Sequence, residues 1–348
     1  MAEELSAKEK LLLWGLVKYP MLNDRELSAK LKIKQSTLAF IKRKLRNENY
    51  YRTLRLPYLE KLGAELLIAT YAKFISALSL NQRLKVSSRV QKAYSEIFYA
   101  LSDPSQGISL QISKDYTTVK KWCEELEKIY SWHSVLSNTG VVILPFPFKL
   151  ISFVNFFDFS PLLEELFELP KKEGIKLIKL DVKEEKFSST ERKVYYGLIK
   201  WPELNDKKLA EKLNISRATI SALKRYFEGR VMKTIRVINL EKLNLRILAF
   251  LYFKFRSNLN ENDRLKFTRA ITKLRSPIFM VIGSNDALAL MPLRDFNDYK
   301  KITNSFAEIS DISDNLREEI VTLLFSIPES KVIKEYSFDE LVMKFTRR

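Results

Sequence analysis

Lysine and arginine side chains are concentrated in two short stretches of the chain, residues 32–55 and residues 214–236. The first stretch has eight basic residues and one acidic residue, and the second has six and one. Together they hold twelve of the eighteen net positive charges of the chain. Clustered cations of this kind bind phosphate groups. The sequence therefore predicts two separate surfaces that bind a polyanion.

Each basic stretch also has the apolar spacing of a helix. Leu38, Ile41 and Leu45 recur at intervals of three and four residues and mark a buried face, so the opposite face points outward. Small residues on that face allow close entry into the major groove of DNA, where glutamine and arginine bond to base edges. Basic residues of the following β segment would contact flanking phosphates. The predicted DNA contacts are Gln35, Ser36, Phe40, Lys42, Arg43, Arg46, Arg52, Arg55, Arg217, Ser221, Lys224, Arg225, Lys233 and Arg236.

The two stretches belong to an internal repeat. Residues 15–43 align without a gap on residues 197–225, and fourteen of the twenty-nine pairs are identical. After a shift of one residue, the match resumes at 53–62 opposite 234–243. A match of this length indicates a duplication of about half the chain, so each element predicted in one copy is expected in the other.

Each copy divides into a basic helical module and a sheet domain. The module has the pattern of three short helices and a hairpin, and the sheet domain has the order β-α-β-β-α-β, with its first helix at 80–93 in copy 1. The predicted fold class is α+β, a tandem repeat of a winged helix-turn-helix module followed by a βαββαβ ferredoxin-like domain. The predicted boundaries are 1–65 and 187–246 for the modules, 66–158 and 247–330 for the sheet domains, 159–186 for a short helix and linker, and 331–348 for a C-terminal tail.

Three runs of residues, 22–27, 215–220 and 59–63, carry a resemblance to a known family. These runs and the order of the predicted elements resemble the Lrp/AsnC feast-famine transcription regulators. The resemblance covers nearly the whole chain, and each half of the chain resembles one such regulator. The resemblance implies a winged helix-turn-helix that binds DNA and a sheet domain that senses ligands and associates with a second copy. The predicted function is therefore sequence-specific binding of double-stranded DNA and regulation of transcription.

The chain departs from the single-copy pattern of that family. Because two modules lie in one chain, we expect a pseudo-dimer whose DNA-facing helices differ and whose preferred DNA site is asymmetric. Ser216 is a good N-cap for the third helix of module 2, whereas Lys34 at the equivalent position is a poor one. We therefore expect module 1 to bind DNA more weakly or less selectively.

The family resemblance also implies an effector site at a hairpin containing glycine and aspartate. Copy 2 has Gly283 and Asp286 at that place, whereas residues 102–107 of copy 1 do not match the pattern. A plain turn explains both segments equally well, because glycine, asparagine and aspartate are common turn residues. An effector at Gly283 and Asp286 and a purely structural turn are both left open.

Few residues are available for catalysis or metal binding. His133 is the only histidine and Cys123 the only cysteine, so one chain cannot build a metal cluster from several such residues. The sequence also lacks the glycine motifs that bind nucleotides. We therefore expect no cofactor, no metal and no enzymatic activity. A remote alternative remains, because a tandem Lrp-like chain also resembles fused siroheme decarboxylases, which are expected to use histidine and arginine side chains on a tetrapyrrole.

The remaining expectations concern partners and location. The longest apolar run, at 143–159, is interrupted by proline and polar residues, so we expect no membrane-spanning helix and a cytoplasmic protein. Double-stranded DNA is the expected partner, together with self-association through the sheet domains. An alternative function is an adaptor that recruits a basal transcription factor or RNA polymerase through the acidic segments 162–169 and 339–345.

Overall fold

A computed structural model describes most of the chain. The described residues are 5–75, 79, 81, 84–86, 88, 94–132, 136–170, 177–256 and 258–346. The helix predicted at 80–93 lies mainly outside them, and so does His133.

The chain divides into two compact units. Unit 1 comprises Met1–Leu54, Ser152–Lys179 and Thr234–Pro328, and unit 2 comprises Arg55–Ile151, Leu180–Lys233 and Glu329–Arg348. Each unit therefore combines the helical module of one copy of the repeat with the sheet of the other copy.

The elements of the two copies recur in the same order. Those of copy 1 are α1 (Ala7–Lys18), α2 (Asp24–Leu31), α3 (Gln35–Asn47), β1 (Tyr51–Pro57), β2 (Leu66–Phe74), β3 (Ile97–Ser102), β4 (Gln106–Ser113), α4 (Tyr116–Trp132), β5 (Leu136–Pro147), β6 (Ser152–Phe156) and α5 (Ser160–Leu166). After the short strand β7 (Ile178–Lys179), copy 2 contains α6 (Ser189–Lys200), α7 (Asp206–Leu213), α8 (Arg217–Phe227), β8 (Met232–Ile238), β9 (Ile247–Lys254), α9 (Glu261–Leu274), β10 (Phe279–Ile282), β11 (Asp286–Leu293), α10 (Phe296–Glu308), α11 (Ser310–Ser313), β12 (Val321–Ser326), β13 (Lys331–Glu335) and α12 (Asp339–Phe345).

Side-chain caps set where the first two helices of each module begin. Ser6 caps α1 and Ser188 caps α6, each in a reciprocal capping box with a glutamate three residues later. Asn23 caps α2 and Asn205 caps α7 through their side-chain oxygens. The first two helices therefore begin at equivalent residues in the two modules.

A glycine in the first helix of each module allows the second helix to approach closely. A Cβ on Gly15 would lie 2.5 Å from a methyl carbon of Leu31, and a Cβ on Gly197 would lie 2.7 Å from one of Leu213. Such distances are shorter than van der Waals contact. The two helices of each module therefore pack more tightly than an alanine would allow without movement of the leucine.

Each unit contains one antiparallel sheet. The strand order is β12-β9-β11-β10-β6-β7 in unit 1 and β13-β3-β4-β2-β5 in unit 2. In both sheets the four strands of the βαββαβ segment lie in the order fourth, first, third, second. In unit 1 the helices α9 and α10 cover one face of the sheet, and Phe267, Ile271, Ile302 and Phe306 belong to its buried core. The predicted α+β class is confirmed.

The sequence did not predict that a strand from the other copy extends each sheet. β6 pairs antiparallel with β10, and β13 pairs antiparallel with β3. The rings of Phe153, Phe156 and Phe157 lie 6.0, 5.9 and 5.2 Å from that of Phe279. These phenylalanines therefore join a strand of copy 1 to the sheet of copy 2.

A short tail helix follows each of these added strands and packs on a helical module. In unit 1, Glu164 of α5 accepts a hydrogen bond of 3.1 Å from the indole Nε1 of Trp14 in α1. In unit 2, Asp339 of α12 lies 3.5 Å from the Nζ of Lys200 in α6. Each tail helix thus connects a module to the sheet in its own unit.

Ion pairs of opposite polarity hold the two tail helices to their sheets. In α5 the sixth residue is Glu165, whose carboxylate lies 2.7 Å from the guanidinium of Arg275, and Arg275 also pairs with Asp298. In α12 the sixth residue is Lys344, which pairs with Glu96. The tail supplies the carboxylate in unit 1 and the cation in unit 2.

The segment after each third helix differs from the predicted hairpin. Residues 48–62 and 228–245, all of them described, contain one strand each, β1 and β8, and these two form a two-stranded sheet. In unit 1 the N–H of Asn239 donates to the carbonyl of Tyr50, and in unit 2 the N–H of Tyr58 donates to that of Val231. A strand can satisfy its hydrogen bonds with any partner strand, so the sequence pattern of β1 did not identify its partner.

Replacing Arg275 with alanine is expected to destabilise unit 1 because it leaves Glu165 and Asp298 without their cation. The expected loss of unfolding free energy is about 2–3 kcal/mol, below the ~3–5 kcal/mol of a fully buried pair because both carboxylates keep some exposure. Urea denaturation measures this loss, and Lys273→Ala is the control because Lys273 is exposed. Equal stability of the two variants would show that Arg275 does not hold the tail.

Candidate nucleic-acid interface

The third helix of module 1 presents a polar face with one large apolar residue. Its other face is buried, since Leu38, Ile41 and Leu45 are at most 6% exposed. The outward residues predicted to contact DNA are all exposed, and they are Gln35, Ser36, Phe40 and Arg43. Arg43 makes no hydrogen bond or ion pair with any described residue. Its guanidinium is available to an anion from solution.

The third helix of module 2 presents the equivalent face with smaller side chains. Arg217 and Arg225 are exposed, as is Ala222 between them, and Ser221 is half-buried. Ser216 caps this helix by accepting a hydrogen bond of 3.1 Å from the N–H of Thr219, whereas Lys34 gives α3 no side-chain cap. The predicted difference in capping is confirmed. α8 therefore has the better-anchored N-terminus.

Two predicted DNA contacts are engaged within their own modules. Lys42 lies 2.5 Å from the carboxylate of Asp24, and Lys224 lies 3.0 Å from that of Asp206. All four side chains are partly buried. These pairs join the second helix to the third, so we correct Lys42 and Lys224 to structural residues that orient α3 and α8.

Two further predicted contacts are buried. Arg55 is 5% exposed and donates a hydrogen bond of 2.9 Å to the carbonyl of Leu198, and Arg236 is 9% exposed and donates to that of Leu16. Burial lowers the pKa of the Arg55 guanidinium from its ordinary value. Because neither guanidinium faces solvent, we correct the expectation that Arg55 and Arg236 reach DNA. Each one anchors the first helix of a module.

Three predicted DNA contacts are at least partly exposed but also interact with other residues of the chain. Arg46 and Arg52 are exposed, Lys233 is half-buried, and all three take part in further interactions within the chain. Their side chains lie at the end of α3 and along β1 and β8. They remain proposed phosphate contacts, because phosphate contacts need less geometric precision than base contacts.

The sequence reasoning missed a cation at the start of the second helix in each module. Arg25 in α2 and Lys207 in α7 are exposed and occupy equivalent positions of the repeat. Lys207, Ser216 and Arg217 line an open depression of about 460 Å³ at the N-terminus of α8, together with one carboxylate, that of Glu211. A helix N-terminus attracts anions, so this depression suits a phosphate group. The repeated cation at that position was a signal available in the sequence.

The hairpin predicted as an effector site is a closed turn between β10 and β11. The N–H of Gly283 donates to the carbonyl of Asp286 over 2.8 Å, and the hydroxyl of Tyr252 donates to the Asp286 carboxylate over 3.1 Å. Burial raises the pKa of the Asp286 carboxyl, and the hydrogen bond from Tyr252 and the charge of Lys254 oppose that rise. These contacts fit the structural interpretation of the turn, and an effector there stays a prediction.

Unit 2 also contains a cavity of about 280 Å³ between α4, the start of β3 and the tail helix. Charged side chains of both signs line it, and they already contact one another: Lys344 pairs with Glu96, and Tyr94 donates to Glu125. Pockets for small molecules typically measure about 300–1,000 Å³, so this cavity lies just below that range.

Neither a metal-binding cluster nor a membrane-spanning helix occurs among the described residues. No group of three or more histidine, cysteine, aspartate or glutamate residues among them is placed to hold a metal ion. Within the same residues, no helix combines the length and apolar character needed to cross a membrane.

The fold of the whole chain is shared with a solved enzyme. No family model and no curated protein matches the sequence. The crystal structure of the siroheme decarboxylase NirDL matches with a TM-score of 0.52 and 11% identity over 97% of both chains. Its complex with an iron-uroporphyrin III analogue matches with a TM-score of 0.53 and 12% identity over 97% of this chain and 98% of that chain.

A transcriptional regulatory protein of the AsnC family from Pyrococcus furiosus matches a smaller part. It is 23% identical, and the match covers 41% of this chain and 90% of that chain with a TM-score of 0.34.

The NirDL match corrects one expectation from the sequence. We expected no enzymatic activity, because one histidine and one cysteine offer little catalytic chemistry. The fold that covers 97% of the chain is that of an enzyme, so this expectation is overturned. Absence of a familiar catalytic motif does not separate enzymes from binding proteins when one fold serves both.

The burial of Arg55 predicts that its conservative replacement affects stability. In Arg55→Lys, a single ammonium cannot reproduce the guanidinium geometry at the Leu198 carbonyl, so we expect a loss of about 1–3 kcal/mol in unfolding free energy. The matched control Arg43→Lys changes an exposed residue and should stay within about 0.5 kcal/mol of the wild type. Thermal unfolding measures both. If the two variants are equally stable, Arg55 is not a structural anchor.

Proposed function

We propose that the chain binds double-stranded DNA through the outward faces of α3 and α8 and regulates transcription. The observation that carries this proposal is the sorting of cations in the two modules. Among the cations at equivalent positions, Arg55 and Arg236 are buried and bonded, whereas Arg43 and Arg225 are exposed and without a described partner. The same sorting occurs in both copies of the repeat.

The exposed cations have the surroundings that groove entry requires. Ala218 and Ala222 keep the outward face of α8 narrow, and Ser36 and Ala39 leave Phe40 as the one large apolar side chain on that of α3. A narrow helix face enters the major groove, about 12 Å wide, and brings its arginine within reach of base edges. Arg25 and Lys207, at the start of the preceding helices, are placed to contact the flanking phosphates.

The Asp24–Lys42 and Asp206–Lys224 pairs support the proposal indirectly. Each pair holds the second helix of its module against the third, which is the arrangement of a helix-turn-helix. The pairs also neutralise one cation in each helix. The exposed arginine of each helix, Arg43 or Arg225, lies on the face opposite the buried apolar residues.

The similar solved structures do not support the alternative function as an adaptor. A basal transcription factor or RNA polymerase as partner, and self-association through the sheet domains, stay predictions from the sequence.

Arg225→Ala tests the role of α8 most directly. If Arg225 bonds to a guanine, its loss should weaken binding to a preferred DNA site by about 1–3 kcal/mol, and Arg43→Ala should weaken it less. The preferred site is first selected from a randomised duplex library, and binding is then measured by fluorescence anisotropy.

Arg269→Ala is the matched control for charge, because Arg269 is an exposed arginine of α9 outside the proposed surface. It should change affinity less than the two helix variants do. Equal losses for Arg225→Ala and Arg269→Ala would contradict a specific role for α8.

The second candidate function is decarboxylation of a siroheme-type tetrapyrrole. The likeness to NirDL over 97% of both chains favours it. The cavity of about 280 Å³ in unit 2 carries Lys121 and Lys344, whose ammonium groups are suited to carboxylates. The two glutamates and two lysines that line this cavity balance in charge. The cavity is therefore weaker support for a tetrapyrrole carboxylate than the helix faces are for DNA.

Siroheme added to the purified chain tests the second candidate. If the chain is such an enzyme, we expect a spectral shift that saturates at one siroheme per chain, with release of carbon dioxide. A spectrum that remains that of free siroheme would contradict this candidate. Heat-denatured chain is the control for adsorption.

A further inference from the structure

The outward faces of α3 and α8 differ at equivalent positions of the repeat. The first residue of each helix is Gln35 in α3 and Arg217 in α8. Five residues later, α3 has Phe40 where α8 has Ala222. One helix therefore presents an amide and an aromatic ring, and the other presents a guanidinium and a methyl group.

Phe40 is one of several large apolar residues that are exposed, and it lies on an otherwise polar helix face. It is 60% exposed, and its neighbours on the same face are Ser36 and Arg43. Within the described part of the chain, no ring–ring or cation–π contact involves Phe40. The ring is not part of the core of module 1, since the buried face of α3 is formed by Leu38, Ile41 and Leu45. An exposed ring on a face of polar residues is positioned to contact a binding partner.

The major groove offers one apolar group, the 5-methyl of thymine. Phenylalanine and other apolar side chains contact that methyl, and glutamine bonds to adenine N6 and N7 with two hydrogen bonds. Gln35 is the first residue of α3 and lies on the flank of the outward face, about 140° around the helix from Phe40 and about 7.5 Å from it along the axis, so the two side chains can contact different base pairs of one half-site. Together they match A·T pairs within one half-site.

The face of α8 matches a different base. Arginine bonds to guanine O6 and N7 in the same groove. Arg217 lies at the N-terminal end of α8, the end that contacts base edges in helix-turn-helix proteins. Ala218 and Ala222 leave room beside it, and neither offers a large apolar surface to a methyl group.

Resting on the DNA binding proposed above, we infer that the two modules read half-sites of different composition. Module 1 reads A·T pairs, with a thymine methyl against Phe40 and an adenine at Gln35. Module 2 reads guanine through the two exposed arginines of α8, Arg217 and Arg225. The chain thus binds an asymmetric site, and Phe40 is the residue that specifies its A·T half.

Replacement of thymine by deoxyuridine tests this inference, because it removes only the 5-methyl group. A duplex selected by the full chain from a randomised library is resynthesised with each thymine replaced in turn. At one thymine in one half-site, we expect affinity to fall about threefold to fourfold, the effect of one buried methyl-sized group. Phe40→Ala should bind the thymine and deoxyuridine duplexes equally.

Tyr226→Ala is the matched control, since Tyr226 is an aromatic residue of α8 that is 45% exposed. It should keep the preference for thymine unchanged. Circular dichroism should show that both variants fold, because both rings are exposed.

The outcomes separate this inference from the function on which it rests. If the library yields no preferred sequence and no duplex binds, the DNA-binding proposal fails and this inference with it. If a preferred site is found but no thymine replacement alters affinity, or if Phe40→Ala keeps the thymine preference, the inference is overturned and DNA binding stands.

Discussion

Ion pairs of opposite polarity favour the observed placement of each tail helix on the sheet of its own unit. A duplicated chain has two similar tails and two similar docking places, so each tail could pack in the wrong one. Glu165 in the place of Lys344 would face Glu96, and Lys344 in the place of Glu165 would face Arg275. Like charges at those places disfavour the wrong arrangement. Because α5 also contacts α1 through Trp14, the correct tail fixes the orientation of module 1 within its unit.

The same division between structural and available charge extends through the helical modules. The structural cations occupy equivalent positions in the two copies. Arg55 and Arg236 donate hydrogen bonds to helix carbonyls, and Lys42 and Lys224 form ion pairs with aspartates. The charged groups of these residues interact with other groups of the protein. The arginines that remain outward are held at the surface by helices that the structural cations orient. A basic stretch is therefore a mixture of scaffold and binding surface.

Much of the fold was predictable from periodicity, and the residues show why the rest was not. Leu38, Ile41 and Leu45 predict the buried face of α3 because helix geometry alone decides which residues share it. The partner of β1 and the sheet that receives β6 depend on contacts distant in sequence, which local patterns do not encode. Arg55 and Arg43 have the same side chain, and only the three-dimensional structure separates the buried anchor from the exposed arginine.

The fold alone does not decide between a DNA-binding protein and an enzyme. The central claim is therefore that the outward cations of α3 and α8 bind DNA phosphates. It is tested most directly by titrating a duplex of random sequence with the full chain over a series of salt concentrations. If the exposed cations contact phosphates, the logarithm of the binding constant should fall linearly with the logarithm of salt concentration, by about 0.9 per phosphate contacted. Absence of binding at low salt, or affinity that salt does not change, would contradict the account.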